Sequence, residues 1–242
     1  MKVIKQNVTI LNHSKEISKN NKDLIELAGR TCYKSQLNKN TQLSFIQQLI
    51  KSGHESVIEH ISVSFLITTN RAISHEIVRH RLASYSQEST RYCNYSKNKF
   101  SNELTFILPN YIGDKLKFID NDYLEYENFN NSELIKKVIE YRFSDNSEIN
   151  SYGKDFFDWL KICETAEEHY LQKIEEGVTP EWARGILPND LKTEILVTMN
   201  LRQWRHFLIL RQASAAHPQI RELAISIKEK LKIYYPEVFF DI

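Results

Sequence analysis

Residues Arg79–Tyr92 read RHRLASYSQESTRY, and the rest of the chain can be interpreted around them. This segment contains three arginines, one histidine and three serines, with Glu88 as its single acidic residue. Arginine holds phosphates and planar groups with paired acceptors through two N–H donors at once, and serine hydroxyls add neutral donors. The composition therefore predicts an anion-binding site, although an arginine-rich segment can also be a solvated helix face. The spacing of the polar residues has to decide between the two.

The residues before this segment predict a strand followed by a helix. Residues 61–69 alternate apolar and polar side chains, which is typical of a strand with one buried face. Asn70 can cap a helix that runs from Arg71 to about Arg81. Successive helical residues lie about 100° apart, so Arg79, His80 and Arg81 are expected to fan over about half of the helix circumference. Such a fan would serve two ligands, or one ligand and a neighbouring chain.

Hydrophobic periodicity assigns most of the remaining chain. Strands are predicted at 1–11 and 104–109, and helices at 21–33, 41–51, 155–176, 200–212 and 218–233, with a short helix after Thr179. Residues 190–200 fit either a strand or a helix. Residues 112–152 show little pattern and are predicted to be a surface insertion of loops and short helices. Since no repeat or linker is found, the chain is predicted to be one α+β domain spanning residues 1–242.

Composition limits the possible classes of protein. The 242 residues, 41% of them hydrophobic, are enough for one sizeable core. Lys and Arg number 32 against 31 Asp and Glu, which argues against a general nucleic-acid partner. The three cysteines, Cys32, Cys93 and Cys163, are widely spaced, and neither a signal peptide nor a membrane-spanning apolar run is recognised. A cytoplasmic protein with no membrane partner is expected.

Several common catalytic motifs do not fit. His75 and His80 are five residues apart, whereas two helical zinc ligands of a metalloprotease are spaced by four, so no metal site is expected. No Gly-x-Ser-x-Gly elbow exposes a serine nucleophile, and no glycine-rich phosphate loop is present. A dinucleotide, if one binds, is therefore not held by a Rossmann fingerprint.

The spacing of the polar residues resembles the signature of the flavin-dependent thymidylate synthases. The matching features are Arg-His-Arg at 79–81, then seven residues and Ser89, with Ser84 between and Arg91-Tyr92 after. The resemblance covers most of the chain except residues 112–152. It implies an α+β fold with a mixed or antiparallel sheet flanked by helices, and a homotetramer with active sites between subunits.

The resemblance also implies a reaction and its cofactor. dUMP would be reductively methylated to dTMP, with 5,10-methylenetetrahydrofolate as the carbon donor and NADPH-reduced FAD as the hydride donor, leaving tetrahydrofolate. The residues that match family positions contacting FAD are Ser56, Arg79, His80, Arg81, Gln87, Asn200, Leu201, Arg202 and His206. His54, in a Gly-His-Glu turn, also resembles a residue beside the flavin, although a hydrogen-bonded loop histidine is equally compatible with its position.

The nucleotide contacts follow from the same resemblance. Arg211 would stabilise negative charge developing at N3 and O2 of the uracil and is the expected catalytic residue. Ser89 and Arg91 would donate to the phosphate region from a partner subunit, with Ser89 acting as a binding hydroxyl and not as a nucleophile. The residues that match dUMP-binding positions are Glu76, Ile77, Val78, Arg79, Gln87, Glu88, Ser89, Thr90, Arg91, Arg184 and Arg211.

Two positions depart from the family pattern. Glu76 stands where the family usually has glutamine, and a carboxylate there would repel the phosphate but could accept from a ribose hydroxyl. Residues 215–218, Ala-Ala-His-Pro, replace a stretch in which the histidine more often comes slightly earlier. Two other classes stay open on the sequence: a catalytically silent nucleotide- or RNA-binding protein that keeps the arginine cluster, and a metal hydrolase built on His75 and His80.

Overall fold

The computed structural model describes residues 1–110 and 149–242, with the backbone alone for 149–157. The chain forms two compact units. Unit 1 comprises Met1–Gln6, Thr68–His75 and Gln87–Glu194, and unit 2 comprises Asn7–Ile67, Glu76–Ser86 and Ile195–Ile242. Because each unit is assembled from three stretches, no single cut in the chain separates them. The predicted single domain over residues 1–242 stays a prediction.

Six strands and seven α-helices form the regular structure of the described residues. The strands are β1 (Lys2–Ile4), β2 (Asn7–Leu11), β3 (Ser62–Asn70), β4 (Ser84–Gln87), β5 (Thr105–Ile107) and β6 (Lys192–Asn200). The helices are α1 (Lys15–Tyr33), α2 (Gln42–Lys51), α3 (Arg71–Ile77), α4 (Ile149–Glu175), α5 (Pro180–Ala183), α6 (Leu201–Arg211) and α7 (Pro218–Tyr234). Short 3-10 turns lie at Glu55–Ile58, Asn98–Phe100 and Arg184–Ile186.

The strands form two sheets. β1 pairs with β5 in parallel, and the other sheet has the order β2-β3-β6-β4. An isolated antiparallel bridge joins Phe106 and Leu191. The predicted α+β fold with mixed sheets is confirmed. In β6 the buried residues Ile195, Val197 and Met199 alternate with more exposed ones, which identifies residues 192–200 as a strand, the possibility that the sequence left open.

Several predicted element boundaries were wrong for local reasons. Residues 1–11 form two short strands and not one. α1 begins at Lys15, well before residue 21, because the Ser14 side chain accepts a hydrogen bond from the Ile17 N–H and caps the first turn. α4 begins at Ile149 and not at 155, so residues 149–152 of the predicted insertion are helical. Residues 112–148 of that insertion lie outside the described residues.

The largest correction concerns the arginine segment. Asn70 caps α3 as predicted, since its Oδ1 accepts from the Ile73 N–H at 2.8 Å. The helix nevertheless ends at Ile77, so Arg79, His80 and Arg81 lie beyond it and the predicted helical fan was wrong. The strand β4 was not predicted, because it has only four residues and none of them is aliphatic.

Each unit has its own apolar core. In unit 2, Trp204 is fully buried, lies 5.0 Å from the Phe65 ring and 5.6 Å from the Phe207 ring, and donates from its indole N–H to the Val63 carbonyl. The fully buried side chains of α6 therefore fix that helix against β3. The core of unit 1 contains Val3, Tyr95, Leu104, Phe106, Leu108, Trp159, Leu160, Cys163, Tyr170, Ala183 and Leu191.

The cap of α3 provides a test of the fold. Asn70 is buried, and its amide also donates to Asp190 Oδ1 at 2.9 Å. Asn70→Ala is expected to lower the free energy of unfolding by about 2 kcal/mol, because a cap and a buried hydrogen bond are lost together. Thr179→Ala is the matched control, since Thr179 occupies the cap position of α5 without a side-chain cap bond. Equal losses in urea titrations of the two variants would contradict the assignment.

Candidate functional site

Arg211, the last residue of α6, is held by three hydrogen bonds within unit 2. Its Nε donates to His80 Nε2 at 3.0 Å, its Nη1 to Glu76 Oε2 at 2.7 Å, and its Nη2 to the Glu76 carbonyl at 2.9 Å. The side chain is 19% exposed. A guanidinium has five N–H donors, so two remain without an acceptor among the described residues. Arg211 is therefore fixed in orientation while it can still bind a planar acceptor.

His80 is buried and acts as a neutral acceptor toward Arg211. Its ring lies 4.8 Å from the Phe207 ring and 6.0 Å from the His206 ring. Burial, followed by the charges of Arg211 and His206, lowers the pKa of His80 to about 4. The Nε2 atom must carry a lone pair to accept the Arg211 N–H, so geometry and pKa agree. Because the lone pair of His80 Nε2 already accepts from Arg211, this atom is not expected to be a metal ligand.

Tyr85 closes the turn that follows α3. Its hydroxyl lies 2.9 Å from the Ile77 carbonyl oxygen and 2.5 Å from that of His80, and it donates to one of them at a time. Burial raises the pKa of Tyr85 to about 12, so the hydroxyl remains a donor. Arg79 and Arg81 lie inside this turn, are exposed, and form no ion pair with any described residue. Their guanidinium groups remain available to an anion.

The other residues predicted near Arg79 differ in exposure. Ile77 is fully buried, so its side chain belongs to the core and its carbonyl already faces Tyr85. Val78 is 37% exposed. Only Val78 of these two can offer side-chain surface to a ligand.

A cavity of about 490 Å³ lies in unit 2 beside the 3-10 turn Glu55–Ile58. Gly53 precedes the turn with φ +75°, a left-handed conformation that glycine adopts without strain. The Tyr33 hydroxyl lies 2.9 Å from His54 Nδ1, which orients that imidazole. Both His54 and Ser56 are exposed. The cavity is lined by Gly29, Cys32, Tyr33, Leu49, Gly53, His54, Glu55, Ser56, Val57 and Arg202.

The predicted residues at the start of α6 have different surroundings. Asn200 caps the helix through Oδ1, which accepts from the Gln203 N–H at 2.8 Å, and Leu201 is fully buried. Arg202 and His206 share the exposed face of the helix. Arg202 lies 3.6 Å from Glu55 Oε2 and also pairs with Glu59.

Arg205, which the sequence analysis did not single out, holds the 3-10 turn in place. Its side chain is only 5% exposed, and its Nε donates to Glu55 Oε1 at 2.9 Å. Two further bonds, at 2.7 and 2.9 Å, join it to the Asp241 carboxylate. The position of Glu55, between His54 and Ser56, is thereby fixed by a buried cation.

A second group of predicted residues lies in unit 1. Gln87 donates both amide hydrogens to the protein, to Ser74 Oγ at 2.9 Å and to Thr193 Oγ1 at 3.1 Å, so only its Oε1 remains for a ligand. Arg184 donates to Thr90 Oγ1 at 3.0 Å and is thereby oriented. Arg91 is exposed and lies 3.6 Å from Glu181.

Ser89 shapes the turn of unit 1. Its Oγ accepts from the Arg91 N–H at 3.3 Å, and its carbonyl accepts from the Tyr92 and Cys93 N–H groups. The contacts of Glu88 all lie within the same unit.

The structure thus brings the predicted residues together in separate sets. Arg211 meets Glu76 and His80, while Arg184 meets Thr90. His54, Ser56 and Arg202 share one cavity. Tyr85 lies within the signature segment, and its position there was the only sequence signal for its role. In the described part of the chain, no cluster of three metal-binding side chains is found, and no helix is long and apolar enough to cross a membrane.

Known proteins match this chain over nearly its whole length. A family model described as thymidylate synthase complementing protein matches residues 10–237. Proteins named flavin-dependent thymidylate synthase from Mycobacterium tuberculosis (strain ATCC 25618 / H37Rv) and Mycobacterium bovis (strain ATCC BAA-935 / AF2122/97) are each 33% identical over 225 residues. These matches cover 90% of this chain and 78% of the relatives. A protein of the same name from Mycobacterium sp. (strain JLS) is 33% identical over 224 residues.

The neutral state of His80 predicts a dependence of stability on pH. Because its folded pKa of about 4 lies below the ordinary histidine value of 6.5, the unfolded chain binds a proton first as the pH falls. The contribution of His80 is present above pH 6.5 and is lost toward pH 4, by up to about 3 kcal/mol. His80→Gln, which can still accept from Arg211, is expected to lose less stability over this range in urea titrations.

His60→Gln, which removes an exposed imidazole, is the matched control for this measurement. The difference in unfolding free energy between His80→Gln and wild type should change between pH 6.5 and 4. A constant difference would contradict a buried neutral His80.

Proposed function

This chain belongs to the family of flavin-dependent thymidylate synthases, and from that premise we propose that it converts dUMP to dTMP with FAD as its flavin. In the proposed reaction, dUMP, 5,10-methylenetetrahydrofolate, NADPH and a proton yield dTMP, tetrahydrofolate and NADP⁺. The chain is an enzyme of dTMP biosynthesis by its family. The donors, the identity of the flavin and the residue roles are the parts proposed for this chain.

The geometry of Arg211 carries the proposal. Its guanidinium is fixed by Glu76 and His80, yet two N–H donors have no acceptor among the described residues and can bind a ligand. Set against the uracil edge, those donors would stabilise negative charge at N3 and O2 as C5 and C6 react. Since the protein already orients the donors, little reorganisation is needed when that charge develops. Arg211 is therefore the proposed catalytic residue.

The residues of unit 2 fit a flavin dinucleotide. A pyrophosphate needs cations without protein counterions, and Arg79 and Arg81 are exposed arginines with no ion pair among the described residues. The cavity beside His54 and Ser56 offers an imidazole and a hydroxyl as polar partners for a ring edge. When bound, the flavin supplies the hydride for the reaction. The protein's own part is to hold and orient the reactants.

The residues of unit 1 fit the phosphate of the nucleotide. Ser89 supplies a hydroxyl, and Arg91 and Arg184 supply guanidinium groups, one of them oriented by Thr90. Gln87 contributes through its Oε1 atom, which accepts no hydrogen bond from the described residues. This set contains neutral and charged donors and is compatible with a phosphate monoester dianion.

The pairing of Glu76 changes how its departure from the family pattern is interpreted. Its Oε2 atom accepts from Arg211, so the carboxylate is compensated by a cation within its own unit. Repulsion of the nucleotide phosphate is reduced accordingly. We assign Glu76 the role of positioning Arg211, together with the nucleotide contact that the resemblance implies.

Assembly and location complete the proposal. A homotetramer with active sites shared between subunits would let Ser89 and Arg91 of one chain serve a neighbouring one, and light scattering on the purified protein tests it. A cytoplasmic location is proposed because Cys32, Cys93 and Cys163 are all free, as in proteins of a reducing compartment.

Arg211→Ala is expected to remove almost all turnover and leave the flavin bound. Loss of the charge-stabilising donors should lower kcat by about a hundredfold to a thousandfold. Arg211→Lys should recover little activity, because an ammonium cannot reproduce the planar set of three bonds. Arg221→Ala, at a position outside the proposed site, is the control. Turnover of dUMP by Arg211→Ala at the wild-type rate would refute the assigned role, and flavin absorbance reports whether the variant is folded.

The redox half-reaction can be tested on the wild-type protein. An absorbance spectrum is recorded before and after anaerobic addition of NADPH, with and without dUMP. A flavin band that bleaches, and bleaches faster with dUMP present, is the expected result. A colourless protein that takes up no added FAD would contradict the proposal and favour a catalytically silent nucleotide-binding protein.

A further inference from the structure

Glu88, which the family resemblance implies as a nucleotide contact, directs its carboxylate into unit 1. Oε1 accepts from the Tyr95 hydroxyl at 3.0 Å. Oε2 accepts from Lys192 Nζ at 3.2 Å and from the Glu194 N–H at 3.2 Å. The side chain is only 12% exposed. Both carboxylate oxygens are thus occupied by donors from the protein.

The main chain of Glu88 is bonded as well. Its N–H donates to the Glu194 carbonyl at 2.8 Å, and its carbonyl accepts from Arg71 Nη1 at 3.0 Å. Each polar atom of this residue therefore has a partner within unit 1. A direct bond from Glu88 to a nucleotide would have to displace or share one of them.

The charges around Glu88 favour this arrangement. Burial opposes the charge of Lys192, but hydrogen bonds and the charges of Glu194 and Glu88 outweigh it and raise the pKa of Lys192. Burial, and then the adjacent Glu88 carboxylate, raise the pKa of the Tyr95 phenol, so it remains a donor. A carboxylate in contact with a nucleotide phosphate would repel it, whereas this one is compensated by an ammonium group.

The bond between Glu88 and Tyr95 closes a short loop that contains Ser89, Thr90 and Arg91. Tyr95 is 6% exposed, and its ring lies 5.1 Å from the Phe100 ring. The Tyr95 end of the loop is therefore anchored in the core, and the hydrogen bond from Tyr95 to Glu88 holds the other end beside it. A closed loop has fewer conformations than an open one, so the entropy lost when a ligand orders its donors is smaller.

We propose that Glu88 is a positioning residue that closes the Ser89–Arg91 loop through Tyr95 and Lys192 and does not itself contact the nucleotide. The inference rests on the proposed function, because it takes the loop to be the phosphate site. It adds Tyr95 and Lys192 to the residues on which nucleotide affinity depends. It also makes Glu88 act on the phosphate end of dUMP and not on the uracil or ribose.

The test compares Glu88→Gln and Tyr95→Phe in the flavin-loaded protein. Dissociation constants are measured by calorimetry for dUMP and for deoxyuridine, which lacks the phosphate. Each variant is expected to bind dUMP about tenfold more weakly, the effect of one charged hydrogen bond, and to bind deoxyuridine as wild type does. The KM for dUMP should rise while kcat at saturation stays within about twofold. The double variant should lose less than the product of the single effects.

Glu164→Gln, which removes an exposed carboxylate from α4, is the matched control. Unchanged dUMP affinity in Tyr95→Phe would overturn the inference, since among the described residues that hydroxyl donates to Glu88. Equal weakening of dUMP and deoxyuridine in Glu88→Gln would overturn it too, because a direct contact to ribose or base predicts that result. If wild-type protein binds and turns over dUMP in either case, the proposed function stands. If wild type binds no dUMP, the proposed function fails first.

Discussion

An arginine that stabilises charge on a substrate must be fixed in place without losing all of its donors or its charge to the protein. Arg211 meets this requirement with one carboxylate and one neutral imidazole. A second carboxylate would orient the guanidinium equally well but would cancel the field that it offers a ligand. His80 avoids this because it accepts without carrying charge, and its burial against Phe207 keeps it neutral. The packing of α6 thus determines both the position of Arg211 and the neutral state of its partner His80.

The signature segment Arg79–Tyr92 contains no glycine, which sets it apart from loops that bind phosphates through backbone N–H groups. Its donors are side chains, and ordering long side chains costs conformational entropy. Two tyrosines reduce that cost, Tyr85 inside the segment and Tyr95 three residues beyond it. The Tyr85 hydroxyl lies within hydrogen-bond distance of the Ile77 and His80 carbonyls, and the Tyr95 hydroxyl donates to the Glu88 carboxylate. Desolvation raises the pKa of both phenols, so each hydroxyl stays protonated and can donate.

The sequence predicted the elements whose signals are local. The strand β3 and the helix α6 carry clear apolar periodicity, and Asn70 is a capping residue at a visible boundary. The end of α3 had no such signal, since no glycine or proline follows Ile77 and the chain turns because of Tyr85. β4 contains no aliphatic residue, and its strand conformation depends on pairing with β6. The contact between Glu88 and Lys192 joins residues 104 positions apart, a separation that no local pattern encodes.

The partners of the site residues were the least predictable part, and they account for an apparent conflict of charge. The chain as a whole has a formal net charge of +1, yet the proposed site for two phosphate-bearing molecules needs local positive charge. The acidic residues nearest the arginine cluster in sequence are Glu76 and Glu88. Glu76 forms an ion pair with Arg211 in unit 2, and Glu88 forms one with Lys192 in unit 1. Arg79 and Arg81 stay exposed without counterions among the described residues. Because both carboxylates are paired with cations of the protein, the exposed arginines can serve a ligand even though the chain is nearly neutral.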